Sequence, residues 1–115
     1  MYYVKKTIEI SSSHKLNLSY ESKCQNLHGH NWIITIYVKS LSLNNDGMVL
    51  DFTKIKNALS KLDHANLNDI LPFNPTAENI AKYISDKLTY DYAGITCYRV
   101  DVQESENNIA TYERD

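Results

Sequence analysis

His28-Gly29-His30-Asn31-Trp32-Ile33-Ile34-Thr35-Ile36-Tyr37-Val38-Lys39 is the stretch on which the fold turns. In an extended chain, successive side chains point to opposite faces. His28, His30, Trp32, Ile34, Ile36 and Val38 then share one face, and Asn31, Ile33, Thr35 and Tyr37 share the other. Apolar residues on both parities predict a strand covered on both sides. Upstream, residues 2–14 alternate as well, with Val4, Ile8, Ile10, Ser12 and His14 on one parity, and predict a partner strand. The polar residues 15–27 between them are long for a hairpin loop, and loops of that length in compact domains commonly carry function.

Downstream, Asn44-Asn45-Asp46-Gly47 is a turn signal. Asp51 is a candidate N-cap, followed by Phe52, Ile55, Leu59 and Leu62 at helical spacing. A second helix begins after Asn74-Pro75-Thr76, with Thr76 as its N-cap, Glu78 in its first turn, and Ile80, Tyr83, Ile84, Lys87 and Leu88 behind. Residues 95–104 alternate again, placing Tyr98, Val100, Val102 and Glu104 on one face and Cys97 in the core. Glu106-Asn107-Asn108 reads as a turn and 109–113 as a last short strand. The order β-β-α-α-β-β predicts an α+β domain, a four-stranded antiparallel sheet with two helices over one face.

At 115 residues the chain is one domain, residues 1–115. Its 43% hydrophobic and 23% charged residues are ordinary for a globular protein. Twelve Lys and Arg against 14 Asp and Glu give a net charge of -2 without a basic stretch, so neither nucleic acid nor an anionic membrane is expected as a partner. No apolar run spans a bilayer, and Met1-Tyr2-Tyr3-Val4-Lys5-Lys6 lacks the apolar centre of a secretion signal. Two cysteines far apart point to a reducing, cytoplasmic setting. A domain this small buries about 65% of its unfolded surface. With nine tyrosines to cover, oligomerisation is expected to complete the core.

The four histidines are clustered. His28 and His30 share a strand face, and His14 falls opposite His28 if the two strands pair as a hairpin. Gly29 between them is expected to allow close backbone approach. Three imidazoles without a fourth protein ligand form the donor set of a catalytic zinc site with an open position. Cys24, four residues before His28, is close enough to serve as a thiolate activated by the cation, as a fourth ligand, or as an inert small residue. Asp63-His64 is either a proton-carrying pair or a helix C-terminus stabilised by histidine. Glu104, ending its apolar row, is a solvated strand end or a pocket anchor for adjacent N–H donors.

Taken in series, Cys24-Gln-Asn-Leu-His28-Gly-His30-Asn-Trp32, Asp63-His64, Pro75-Thr76-Ala77-Glu78-Asn79 and Glu104-Ser-Glu-Asn-Asn resemble the 6-pyruvoyltetrahydropterin synthase / 6-carboxytetrahydropterin synthase family, from about Ile8 to Tyr112. The resemblance implies the tunnelling fold, with three subunits closing a barrel and two trimers stacking as a homohexamer. It implies zinc on His14, His28 and His30, and catalysis by Cys24 with Asp63 and His64 from a neighbouring subunit. Glu104 would anchor a pterin substrate, and Thr76 would lie in its pocket. The three residues between Cys24 and His28 resemble the bacterial 6-carboxytetrahydropterin synthases of queuosine biosynthesis, which release acetaldehyde and triphosphate from 7,8-dihydroneopterin triphosphate. The pyruvoyl-forming synthases, and a non-catalytic zinc-bound ligand-binding domain, are the alternatives. Two positions depart from the family pattern: Ile10-Ser11-Ser12-Ser13-His14 stands for Phe-x-Ala-x-His, and Ala77 stands where a second hydroxyl residue is frequent.

Overall fold

The computed structural model describes all 115 residues, Met1–Asp115. In chain order its elements are β1 (Tyr2–His14), β2 (His28–Ser40), α1 (Phe52–Asn57), β3 (Ala65–Asn66), α2 (Leu67–Ile70), α3 (Ala77–Asp91), β4 (Thr96–Ser105) and β5 (Asn108–Glu113). β1 and β2 pair antiparallel without interruption from Tyr2↔Ser40 to His14↔His28. β4 joins β2, and β5 joins β4, both antiparallel. The sheet order is β3-β1-β2-β4-β5.

The expected four strands are therefore five. β3 is only two residues long and runs parallel to β1, pairing Ser12 with Ala65 and Ser13 with Asn66. No alternation pattern can show so short a strand. It forms because the chain after Leu62 is pinned along the β1 edge, where Ser11 N–H donates to Asp63 Oδ1 at 3.0 Å and His64 N–H to Ser11 O at 2.7 Å.

The first helix is also shorter than its apolar spacing suggests. Asp51 caps it, Oδ1 accepting from Thr53 N–H at 2.8 Å. Beyond Asn57 the backbone tightens to bonds three residues apart, such as Leu59 N–H to Lys56 O and Leu62 N–H to Leu59 O. Leu59 and Leu62 still reach the core, each 1% exposed, so the pattern located the buried side chains although the helix had ended. α2 is a single further turn, capped by Asn66. α3 begins at Thr76, whose Oγ1 accepts from Asn79 N–H at 3.1 Å. Its inner face buries Ile80, Ala81, Ile84, Ser85 and Leu88. Ser85, wholly buried, donates to Cys97 O at 2.7 Å and so brings its hydroxyl into the core already paired.

The core lies between these helices and one sheet face, where Ile8, Ile10, Trp32, Ile34, Ile36, Val38, Cys97, Val100 and Val102 are all buried. The opposite face is not covered by this chain, contrary to the two-sided cover expected for β2. Ile33 on β2 is 37% exposed and Ile109 on β5 is 60% exposed. The rest of that face carries a polar network, in which Tyr37 Oη, Arg99 Nε and Thr111 Oγ1 all donate to Asp101.

Two β-bulges break the β4 alternation. Tyr37 pairs with Arg99 but Val38 pairs with Cys97, so Tyr98 is an extra residue. Its ring lies beside Tyr3 and Tyr37, at centroid distances of 5.7 and 6.0 Å, on the uncovered face. The strand alternation had placed Tyr98 with Val100 and Val102; the inserted residue reverses its side. A second bulge between Gln103 and Ser105 leaves Glu104 outside the β5 ladder. No helix is long and apolar enough to cross a membrane.

Ile84→Ala, at a position with 0% exposure, is expected to lower unfolding free energy in urea by about 2–5 kcal/mol. At Asp101, burial pushes the carboxyl pKa up, but the hydrogen bonds from Arg99, Thr111 and Tyr37 outweigh it and hold the value below normal. A depressed folded pKa stabilises above the unfolded value of about 3.9 and loses that stabilisation as pH falls from there through the folded value. Asp101→Asn should therefore show a shallower fall in stability than the parent between about pH 5 and pH 3, read by urea titration at each pH.

Candidate metal centre and ligand cavity

The hairpin register sets His14 directly against His28 and Ser12 against His30. All three imidazoles thus converge at the loop end of the β1–β2 ladder, with ring centroids 4.6 Å (His14–His28), 5.1 Å (His14–His30) and 4.8 Å (His28–His30) apart. One ring nitrogen from each falls within 4.8 Å of the others. Trp32 packs edge-on against His14 and His30 at 4.9 and 5.2 Å and donates Nε1–H to Ser12 O at 3.2 Å. The indole is fully buried and walls the cluster on the core side.

The tautomers follow from the hydrogen bonds. His14 Nδ1 is 2.8 Å from Pro75 O, and His28 Nδ1 is 2.7 Å from Asn26 O. A carbonyl only accepts, so both Nδ1 atoms carry protons and each Nε2 keeps its lone pair free. This is the outer-shell pattern that orients metal-ligating histidines. Nε2 of His14 and of His30 are buried without a hydrogen-bond partner. An orphaned buried polar atom costs on the order of 1–3 kcal/mol, and a divalent cation at the centre of the three rings would satisfy these lone pairs at once. Burial lowers the pKa of His14 and of His30, with the Glu104 carboxylate pulling the other way. Both are therefore biased to the neutral form that metal binding needs. The residues present fit a metal ion.

Glu104 keeps the side of β4 that Val100 and Val102 share, as the alternation predicts, at the end of the strand beside β2. Its carboxylate lies 3.4 Å from His30 Nε2 and 3.8 Å from His14 Nε2, at the rim of the cluster. The group that closes to within 4.8 Å nevertheless contains the three rings and neither Glu104 nor Cys24. The cluster has no fourth protein donor close to all three rings. It opens on a cavity of about 480 Å³ whose lining includes Cys24, His28, His30, Glu104 and Asn108. Cys24 is partly buried there, on the loop between β1 and β2. That loop is folded: Ser22 caps a short 3-10 turn over Lys23–Gln25, and Leu16 N–H donates to Cys24 O at 2.8 Å. A second cavity of about 280 Å³ shares Glu104 and is bounded by Glu78, Asn107 and Asn108.

The remaining predicted residues lie elsewhere. Asp63 and His64 are together, with Oδ1 and Nε2 3.7 Å apart, but the imidazole is 82% exposed. His64 faces a cavity with Ser11, Ser13 and Asn31 that shares only His30 with the Cys24 cavity. Its backbone is left-handed, φ 53°, held by the bonds to Ser11 on either side. Within one chain Asp63 and His64 therefore do not join Cys24. Thr76 spends its hydroxyl on the α3 cap, and its neighbours Ala77 and Glu78, not Thr76, line the cavity beside Glu104. Nor does Gly29 permit a close approach: a Cβ there would meet nothing nearer than Ser12 O at 4.0 Å. Sequence reasoning missed the carbonyls of Pro75 and Asn26, because a backbone acceptor leaves no mark in residue type. It also missed Ser12 Oγ, which bonds to Leu62 O and helps hold the Asp63-His64 corner to β1.

Known proteins agree with this geometry. Residues 3–115 match the family model described as 6-pyruvoyl tetrahydropterin synthase. A 6-pyruvoyl tetrahydrobiopterin synthase from Dictyostelium discoideum is 34% identical over 120 residues, covering 89% of this chain and 88% of its own length. A 6-carboxy-5,6,7,8-tetrahydropterin synthase from a Synechocystis strain is 36% identical over 123 residues, covering 97% and 93%. The solved structure of a 6-pyruvoyl tetrahydropterin synthase from Caenorhabditis elegans superposes with a TM-score of 0.76 at 27% identity, over 99% of this chain and 96% of that one. With its three rings, open cavity and bulged glutamate on that fold, the chain belongs to the 6-pyruvoyl tetrahydropterin synthase family.

Proposed function

We propose that this protein is a zinc-dependent lyase of the 6-carboxytetrahydropterin synthase type, converting 7,8-dihydroneopterin triphosphate and water to 6-carboxytetrahydropterin, acetaldehyde and triphosphate. The observation that carries the reading is the His14-His28-His30 cluster, with free Nε2 lone pairs and an open side on the cavity that holds Cys24 and Glu104. Relatives under both product names match the chain, so the product rests on the three-residue spacing from Cys24 to His28.

Each residue has a part its surroundings suit. His14, His28 and His30 hold the ion, and zinc bound there supplies Lewis-acid polarisation of the substrate side-chain oxygens. Cys24, as thiolate, takes protons from the side chain at the cavity wall. Glu104 accepts the paired N–H donors of the pterin edge and fixes the ring relative to Cys24. Asp63 and His64 return the proton from a second copy of the chain, since their exposed cavity is separate from that of Cys24. Two further features support assembly: the uncovered sheet face and the unpaired outer edge of β5. A homohexamer of two trimers, acting in the cytoplasm in queuosine biosynthesis, is the assembly and setting we assign.

Product analysis by mass spectrometry of zinc-loaded protein with 7,8-dihydroneopterin triphosphate tests this. Acetaldehyde with triphosphate supports the carboxy-forming lyase; triphosphate alone indicates a pyruvoyl-forming enzyme. No turnover by metal-replete protein overturns both and leaves a binding domain. His28→Ala is expected to lose zinc and activity together. Cys24→Ala should keep its zinc and lose on the order of 10²-fold or more in kcat; loss of zinc would make Cys24 a ligand. Glu104→Gln should weaken free dihydropterin binding roughly tenfold or more, measured by calorimetry.

A further inference from the structure

The cavity beside the metal centre has a second charged wall that the reaction chemistry above does not use. Lys23 precedes Cys24, and both residues line the same 480 Å³ space, Cys24 partly buried and Lys23 at its exposed rim. Lys23 is the only ammonium or guanidinium among its lining residues, as Glu104 is the only carboxylate. Nor is the lysine on a loose tail. Ser22 caps the turn that begins at Lys23, Lys23 O accepts from Asn26 N–H at 3.0 Å, and Cys24 O ties the loop to Leu16. The ammonium forms no ion pair with any carboxylate of the chain.

A cavity lined by a carboxylate and, at its exposed rim, by a lysine outside any ion pair is polar in a directed sense. It suits a ligand with N–H donors at one end and a concentrated negative charge at the other. The chain as a whole carries a net charge of -2 and offers no general attraction to a polyanion. A polyphosphate tail would also be repelled by Glu104. Local charge alone can then decide where such a tail lies, and an ammonium is a recognised point-charge partner for phosphate.

Resting on the pterin reading proposed above, the geometry points to Lys23 as the residue that receives the triphosphate arm of the substrate. It sets the specificity for phosphorylated over unphosphorylated pterins, while Glu104 holds the ring. The lysine directs the polyanion away from Glu104 and keeps the intervening side chain alongside Cys24 and the histidines.

The test measures binding of two ligands, 7,8-dihydroneopterin triphosphate and unphosphorylated 7,8-dihydroneopterin, by calorimetry. It uses zinc-loaded full-length protein carrying Cys24→Ala, so that neither ligand turns over. Adding Lys23→Ala should weaken the triphosphate by about tenfold or more and change the unphosphorylated ligand less than twofold. Lys23→Arg should retain most of the triphosphate affinity. The affinity should fall with added salt in the parent and less steeply in Lys23→Ala. Equal weakening of both ligands, or unchanged triphosphate affinity, overturns the assignment to Lys23 while the pterin reading stands. Binding of neither ligand by the parent overturns the pterin reading, and the Lys23 assignment with it.

Discussion

The pairing of His14 with His28 at the loop end of a thirteen-pair ladder is the constraint on which the rest depends. A slip of one residue in that ladder would turn every side chain of one strand to the other face. Either Ile8 and Ile10 of β1, or Trp32, Ile34, Ile36 and Val38 of β2, would then meet water instead of the helices, so the hydrophobic face holds the register firmly. The imidazoles inherit this precision. They lie on the same parity as the core residues and extend that face by one more turn of the pleat. The stability of the sheet and the geometry of the ligand cluster are thus one and the same requirement.

Around that ladder, polar groups are brought into the interior only with partners, except where a cation belongs. Ser85 is paired with Cys97 O, Trp32 Nε1 with Ser12 O, and His14 Nδ1 with Pro75 O. Against that background the unpaired Nε2 atoms of His14 and His30 stand out. The same burial that makes them expensive as free acceptors lowers their pKa and keeps them neutral. The loop Pro75–Thr76 links the two layers here. Its carbonyl orients His14 while the next residue caps α3, so the helix covering the core also fixes a ring of the cluster.

Much of the fold and much of the candidate site could be read from residue order. Thirteen-residue alternation in β1 and the period of α3 are long signals that local packing does not override. β3 was hidden because two residues have no period, and α1 ended early because Leu59 and Leu62 reach the core from tightened turns as well as from a helix. Tyr98 was placed on the wrong face, since a single inserted residue in β4 reverses parity without changing composition. Glu104, by contrast, reaches the histidines on the face that its alternation with Val100 and Val102 predicts. Thr76 is read from the sequence as the α3 N-cap and, by resemblance, as a pocket residue; the cap forms, and its hydroxyl is engaged there.

The amino-acid sequence by itself determined which side chains are apolar, at what period, and which three imidazoles lie within one hairpin of each other. Those are local properties, set by alternation along a strand. Tertiary structure alone decided that the open side of the cluster faces Cys24, that the Glu104 carboxylate comes within 3.4 Å of His30, and that His64 lines a separate cavity. Each of these depends on where separate segments meet, through bulges, backbone carbonyls and loop folding, and such contacts between distant residues have no period along the chain.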